Sequence, residues 1–343
     1  MNFSHHITTW YQNNKRDLPW RKTNNPYHIW LSEIILQQTR VNQGLPYYES
    51  FTKNFPTIKD LATADEEKVL KLWQGLGYYS RARNLHATAK TICESYEGNF
   101  PKTFNELKKL KGIGDYTGAA IASFTFNEVV PVVDGNVYRV LSRYLGITTD
   151  ISHSSARKIF FETANQLIDK NNPALFNQAI MEFGALQCTP KSPDCTKCPL
   201  NNSCFALANN EIENLPIKSK KTKVKKRFLN YLLILDSENR ATASKRTSKG
   251  IWQNLYELPH IETKEKDSET SLIQKIKEYH PNNTAITHIK SESITHKLSH
   301  QHLEIEFWKI TIDHKHNKGL THQELLNLPT PIVLHNFIER NPY

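Results

Sequence analysis

The chain has 343 residues and a formal net charge of +10, with 44 Lys and Arg against 34 Asp and Glu. That length predicts about two domains, and the excess of positive charge favours a polyanionic partner. No apolar run reaches the ~20 residues of a membrane helix, and Met1–His6 lacks the basic start and apolar core of an export signal, so a cytoplasmic setting with no membrane partner is expected.

From residue 1 to about 205 the pattern is helical. Apolar residues recur at helical spacing, as at Leu61, Val69, Leu70, Leu72 and Trp73, with Pro and Gly at the breaks. In the segment Ile29–Gln38, that spacing sets Glu33 beside Ile29, Trp30 and Leu36. A carboxyl on an apolar face resists ionisation. A carboxylic acid raised in this way suits a general acid near neutral pH. Cys93, alone in a helical stretch, reads as a core thiol.

In Leu110–Thr117, Gly112 and Gly114 stand two apart and predict a sharp turn, followed by a helix from about Asp115. Glycine leaves no Cβ between backbone and ligand. The free amides of the new helix suit a DNA phosphate, gripped without sequence readout. The apolar run Val129–Val133 then delivers Asp134 as the N-cap of a helix over Gly135–Leu145. Amide donors and the helix dipole there favour the ionised carboxylate. One carboxyl pushed up and one held down is the pattern of glycoside cleavage, with its oxocarbenium-like transition state.

Cys188, Cys195, Cys198 and Cys204 are spaced x6, x2, x5. In a reducing compartment such clustering indicates a metal site. A zinc ribbon normally has two short Cys-x2-Cys knuckles, and here there is one. Four Cys without His in a compact loop suit a [4Fe–4S] cluster better, zinc being the alternative. Residues 218–227 carry seven positive charges and no negative one, the texture of a linker. Beyond it, Phe228–Leu235 and His302–Ile310 read as strands and 268–279 as a helix. The predicted organisation is a mainly α domain over 1–217 with a metal loop at 188–204, a basic linker over 218–227, and a smaller α+β domain over 228–343.

The hairpin and its following Asp, the four-Cys spacing, and the motifs Trp30-Leu-Ser-Glu33-Ile-Ile-Leu-Gln-Gln-Thr, Gly75-Leu-Gly-Tyr-Tyr-Ser-Arg81 and Val133-Asp134-Gly-Asn136-Val together resemble the endonuclease III superfamily of DNA glycosylases, in its MutY branch. The likeness is strongest over about residues 10–205. It implies a helix-hairpin-helix glycosylase domain that holds a [4Fe–4S] cluster on the four Cys. Endonuclease III relatives that also cut the strand carry a Lys where this chain has Tyr116, which cannot form a Schiff base. The implied enzyme is therefore monofunctional. It acts as a monomer on double-stranded DNA and hydrolyses adenine from its mispair with 8-oxoguanine or guanine.

The resemblance also implies roles. Glu33 protonates the adenine and Asp134 stabilises the sugar cation, with Tyr116 and Asn136 in support. Trp20, Arg21 and Gln178 line the base pocket, and Gln38 and Tyr78 contact the opened helix. The second domain resembles a Nudix domain through Gly250-Ile-Trp-Gln-Asn-Leu-Tyr-Glu257-Leu-Pro, but residues 261–275 lack the Arg-Glu-x-x-Glu-Glu cluster of a hydrolase. The family reads 8-oxoguanine with a Phe-Ser-His loop. Here that loop is Leu298-Ser299-His300, with Leu in place of the stacking Phe.

Overall fold

The computed structural model describes residues 3–219, 224–281 and 283–343. They divide into two compact units, one of residues 1–63 with 84–220, the other of 64–83 with 221–343. The first unit is helical, as expected. Its elements include α1 (Phe3–Asn14), α2 (Pro26–Leu36), α3 (Val41–Asn54) and α4 (Ile58–Thr63). After α5 (Glu66–Leu72), which belongs to the second unit, α6 (Ser80–Ser95) returns the chain to the first. There follow α7 (Phe104–Leu107), α8 (Asp115–Phe126), α9 (Gly135–Leu145), α10 (Ser154–Leu167), α11 (Pro173–Leu186) and α12 (Phe205–Ala208). No helix among the described residues is long and apolar enough to cross a membrane.

The helix that carries Glu33 has clear local causes. Asn25 caps α2 by accepting from the Tyr27 amide at 2.9 Å, and Pro26 fills the first turn, where no amide donor is needed. Residues Tyr27 and Ile29–Ile35 are all buried, so α2 is apolar nearly all round and runs through the core. The α9 helix is amphipathic. Its Val137, Val140 and Leu141 pack with Phe3, Ile7 and Tyr11 of α1, Phe160 of α10, and Phe176, Ile180 and Phe183 of α11. Cys93 is only half-buried on α6 and so lies at the margin of the core, contrary to expectation.

The second unit has a five-stranded sheet. β1 (Lys225–Leu235), β2 (Ser244–Lys245), β3 (Tyr256–Glu257) and β4 (His260–Thr263) lead into α13 (Glu269–Tyr279). β5 (Asn283–His288), β6 (Ile294–Lys297), β7 (Gln301–Ile312), α14 (His322–Asn327) and α15 (Ile332–Arg340) complete it. The sheet runs β4-β1-β7-β5, with β6 also on β7, while β2 and β3 pair separately. β1 and β7 are parallel, with Phe228 opposite Glu304 and Leu235 opposite Thr311. From Leu229 onward every residue of β1 is buried, the mark of a strand covered on both faces. Leu272 and Ile276 of α13 close one face against Leu232, Ile234, Trp308 and Ile310. The sheet begins at Lys225, inside the predicted linker, so the tether ends earlier than the charge run suggests; residues 220–223 lie outside the described residues.

The segment 64–83 departs furthest from expectation, because its helical pattern places it in the first domain. In the second unit, Glu67 accepts from Lys245 Nζ at 3.0 Å and from Tyr256 Oη at 2.9 Å. Glu66 accepts from Asn254 Nδ2 at 2.6 Å, and Gln74 Nε2 donates to the Thr330 carbonyl at 2.7 Å.

Phe160 is fully buried, edge-on to Tyr138 at 4.7 Å between centroids. Phe160→Ala should cost about 3–5 kcal/mol, read as a lower thermal midpoint for the first unit. An unchanged midpoint would remove α10 from the core.

Candidate active site

The hairpin turn forms where the glycines predict it, but the two differ in kind. Gly112 has φ +78°, and a Cβ there would stand 2.8 Å from Asn84 Cβ. Gly114 is the extended N-cap of α8 at φ −90°, with open space where a Cβ would go. Only Gly112 is held to glycine by backbone and packing together.

The turn places Tyr116 in the first turn of α8, half-buried, and its hydroxyl donates to Glu33 Oε2 at 2.6 Å. Glu33 is 7% exposed. Burial is the main force that raises its pKa, to about 7, and the nearby Asp134 adds to it. The Tyr116 hydrogen bond and the Arg21 charge oppose the rise.

Asp134 caps α9 as predicted. Its Oδ1 accepts from the amides of Asn136 at 2.9 Å and Val137 at 2.8 Å, and its Oδ2 from Asn136 Nδ2 at 2.8 Å. The expectation of a depressed pKa is corrected here. Burial of the carboxyl outweighs those hydrogen bonds and the Arg139 charge, and the net shift is upward. A cap lowers a pKa most at a fully solvated helix end; Asp134 is half-buried. The proton nevertheless has a preferred home. Asp134 holds three donors that favour its anion, while Glu33 holds the one from Tyr116.

Asn136 is fixed in turn. Arg139 Nη2 donates to Asn136 Oδ1 at 2.9 Å and to the Gly184 carbonyl at 2.6 Å, while its Nε donates to the Cys188 carbonyl at 2.8 Å. A Cβ on Gly184 would stand 2.7 Å from Asn136 Cβ, so glycine lets α11 close on α9 here. One chain of hydrogen bonds thus joins Asp134 to the Cys loop.

Glu33 and Asp134 border two cavities. The outer one, of 580 Å³, also takes in Gln37, Gln38, Gly114, Tyr116 and Tyr138. The inner one, of 180 Å³, is walled by Trp20, Arg21, Asn136, Gln178 and Glu182. Trp20 is buried edge-on to Tyr48, and Gln178 Oε1 accepts from Tyr11 Oη at 2.6 Å. No Lys lines either cavity. Gln38 is exposed at φ +57°, just beyond the end of α2.

The predicted base-contact residues near the C-terminus fall in the second unit, and Tyr78 joins them. A cleft of 630 Å³ there is lined by Tyr78, Trp252, His296, Leu298, Ser299 and His300, among others. Leu298, Ser299 and His300 form the loop between β6 and β7, closed by the Leu298 amide on the Gln301 carbonyl at 2.8 Å. Leu298 is half-buried, and Ser299 and His300 are exposed. Tyr78 is 43% exposed at φ +46°, with the Arg81 guanidinium 5.8 Å from its ring.

Burial pushes the Cys198 thiol up to about 11, and charge on Cys188, Cys204 and Cys195 pushes the same way, so the four sulfurs lie within each other's electrostatic reach. Among the described residues, no three metal-binding side chains converge on a point where one ion would sit. The buried Arg143 spans the loop. It donates to the carbonyls of Thr189 at 2.7 Å, Pro190 at 3.0 Å and Leu215 at 3.0 Å, and to Cys188 Sγ at 3.5 Å. A buried cation aimed at thiols fits an anionic metal–thiolate group.

Residues 31–166 match the HhH-GPD superfamily of base excision DNA repair proteins, and residues 230–340 match the NUDIX domain. A thermostable thymine-DNA glycosylase of known structure superposes with TM-score 0.56 at 29% identity, over 60% of this chain and 95% of that one. Endonuclease III trapped in a covalent intermediate with DNA shares the fold at TM-score 0.53 and 21% identity, over 60% of this chain and 94% of that one. Together with the buried carboxyl pair, these place the chain among the helix-hairpin-helix DNA glycosylases of base excision repair. The adenine DNA glycosylase of Buchnera aphidicola subsp. Schizaphis graminum is 38% identical over 304 residues, which are 88% of this chain and 86% of that protein. The chain belongs to the adenine DNA glycosylases, the MutY-type branch, and is a hydrolase of N-glycosidic bonds.

Sequence reasoning missed Glu182, Arg139, Arg143 and Gly184. Glu182 stands in Ala179-Ile-Met-Glu182-Phe-Gly184, a lone acid in an apolar helix, the same signal that singled out Glu33. Gly184→Ala should push Asn136 off Asp134 and slow base removal by about 10²-fold, the scale of a 1 Å misplacement, with DNA binding retained. A wild-type single-turnover rate would show that α9 and α11 have room to spare.

Proposed function

We propose that this glycosylase removes adenine opposite 8-oxoguanine or guanine in double-stranded DNA, by hydrolysis and without strand cleavage. The observation that carries the chemistry is the Glu33–Tyr116–Asp134 group at the junction of two cavities. The adenine leaves the stack and enters the inner recess against Trp20, Arg21 and Gln178. Glu33, which burial keeps partly protonated near neutral pH, donates its proton to N7 of the base. Tyr116 holds the carboxyl in place with its hydroxyl.

As the glycosidic bond breaks, positive charge develops on the sugar. Asp134 faces it as the anion, held by Asn136 and its own cap bonds, and forms a covalent sugar intermediate that water resolves. Catalysis by a fixed, buried anion is of the electrostatic kind. The absence of Lys from both cavity linings supports the monofunctional reading, since the lyase reaction needs an amine nucleophile.

The hairpin at Gly112 and Gly114 grips phosphate, and Gln38 enters the opened helix. In the second unit, Ser299 and His300 read 8-oxoguanine by hydrogen bonds. Leu298 packs where an aromatic ring would stack, and Tyr78 stacks from the other part of the same cleft. The first unit acts as the glycosylase domain and the second, with its segment 64–83 that carries Tyr78, as the lesion reader, and the chain works as a monomer in the cytoplasm. Cys188, Cys195, Cys198 and Cys204 would hold a [4Fe–4S] cluster. When bound, the cluster supplies a cross-link, because glycosidic hydrolysis transfers no electrons.

The test is single-turnover cleavage on duplexes with adenine opposite 8-oxoguanine, guanine or thymine, read with and without hot alkali. Alkali-dependent breaks at adenine, fastest opposite 8-oxoguanine, are expected; alkali-independent breaks would refute the monofunctional assignment. Glu33→Gln should abolish excision with binding intact. In the wild type the rate should fall as pH rises through about 7, since the acid form of Glu33 is the active one and is lost above its pKa. A rate that rises through that range would exclude Glu33 as the acid. Ser299→Ala should narrow the preference for 8-oxoguanine over guanine, and an unaltered ratio would move lesion reading elsewhere. Purified protein should carry iron and sulfide in equal amounts; zinc in their place would refute the cluster.

A further inference from the structure

We propose that Glu182 is a positioning residue for adenine excision: its buried carboxylate locks Arg16 and Arg21 into one clamp and thereby sets the charge that Glu33 faces. The inference rests on Glu33 as the acid and goes beyond it to what keeps that acid protonated.

Glu182 is 1% exposed on α11. Arg16 reaches it with its backbone amide at 3.0 Å, its Nε at 2.9 Å and its Nη2 at 2.6 Å. Arg21 reaches the same two oxygens with Nη1 at 2.8 Å and Nη2 at 2.7 Å. Both partners are therefore bidentate, the strongest form of this contact. Arg21 is further pinned by Nη1 on the Arg16 carbonyl at 3.2 Å and by the Tyr11 ring, 5.6 Å from its guanidinium. Arg21 and Glu182 both wall the inner recess that Glu33 borders.

The charged and titratable groups that face Glu33 are Tyr116 from α8, Asp134 from the cap of α9, and Arg21 from the turn at Pro19–Arg21. Glu182 and Arg16 reach it through Arg21. The Arg21 charge opposes protonation of Glu33. A bare guanidinium there, in a medium of low dielectric, would drive the acid toward its anion. The carboxylate of Glu182 offsets that charge. With both arginines the clamp sums to +1. Without Glu182 it is +2, and without Arg16 it is 0. The two losses must therefore move Glu33 in opposite directions.

The experiment is the pH profile of single-turnover adenine excision opposite 8-oxoguanine for the full-length wild type, Glu182→Gln, Glu182→Asp and Arg16→Gln. Glu182→Gln should move the alkaline limb about one pH unit lower, a several-fold rate loss at neutral pH, with the loss shrinking as pH falls. Arg16→Gln should move the limb to higher pH. Glu182→Asp keeps the charge, so its limb should stay at the wild-type position even if its rate falls. Limbs that stay fixed in both Gln variants, or move the same way, overturn the proposal and leave Glu182 a packing residue. If Glu182→Gln does not fold, Arg16→Gln decides alone, because the Arg16 side chain is 36% exposed and tolerates change. A wild type that removes no adenine from any duplex refutes the adenine reading instead, and the proposal with it.

Discussion

Taking a carboxyl out of water disfavours its charged form, and this chain takes two out together. Glu33 and Asp134 border the same two cavities, and much of the first unit is arranged around the consequence. Two anions cannot sit there at neutral pH without large repulsion. The donors are distributed so that one proton stays and its place is defined. Asp134 is surrounded by the amides of its own helix cap and by Asn136, while Glu33 meets one phenol. The asymmetry of donors creates the asymmetry of roles, since the group with fewer donors keeps the proton.

That arrangement requires close backbone approach. The α9 helix must bring its N-terminus and Asn136 against α11, and a glycine at 184 is what lets it. Arg139 then stitches the contact, reaching Asn136, the Gly184 carbonyl and the Cys188 carbonyl with one side chain. The order of Asp134 and the order of the Cys loop are therefore parts of one network. A disturbance of the loop reaches the carboxylate by way of hydrogen bonds, with no redox step.

Signals that are local in sequence were legible and those made by distant partners were not. Glu33 stood out because an acid in an apolar helix is conspicuous, and the cap at Asp134 followed from its place before Gly135. The partial burial of that cap was invisible, because it comes from helices brought together by folding. Glu182 has the same local signature as Glu33, yet its meaning depends on Arg16 and Arg21, over 160 residues away. Residues 64–83 look like any other helical segment of the first unit. The partners that claim them, Lys245, Asn254, Tyr256 and Thr330, lie far down the chain.

That last feature bears on how the protein is made. The segment 64–83 emerges early but finds its partners only after all of 84–220 has followed it and the second unit has begun to form. At roughly 5–20 residues per second of synthesis, the nascent chain carries this stretch unclaimed for on the order of ten seconds. The carboxylates of Glu66 and Glu67, which accept from Asn254, Lys245 and Tyr256 in the finished protein, are meanwhile exposed to water alone. A gene cut between the two predicted domains would make that transient exposure permanent.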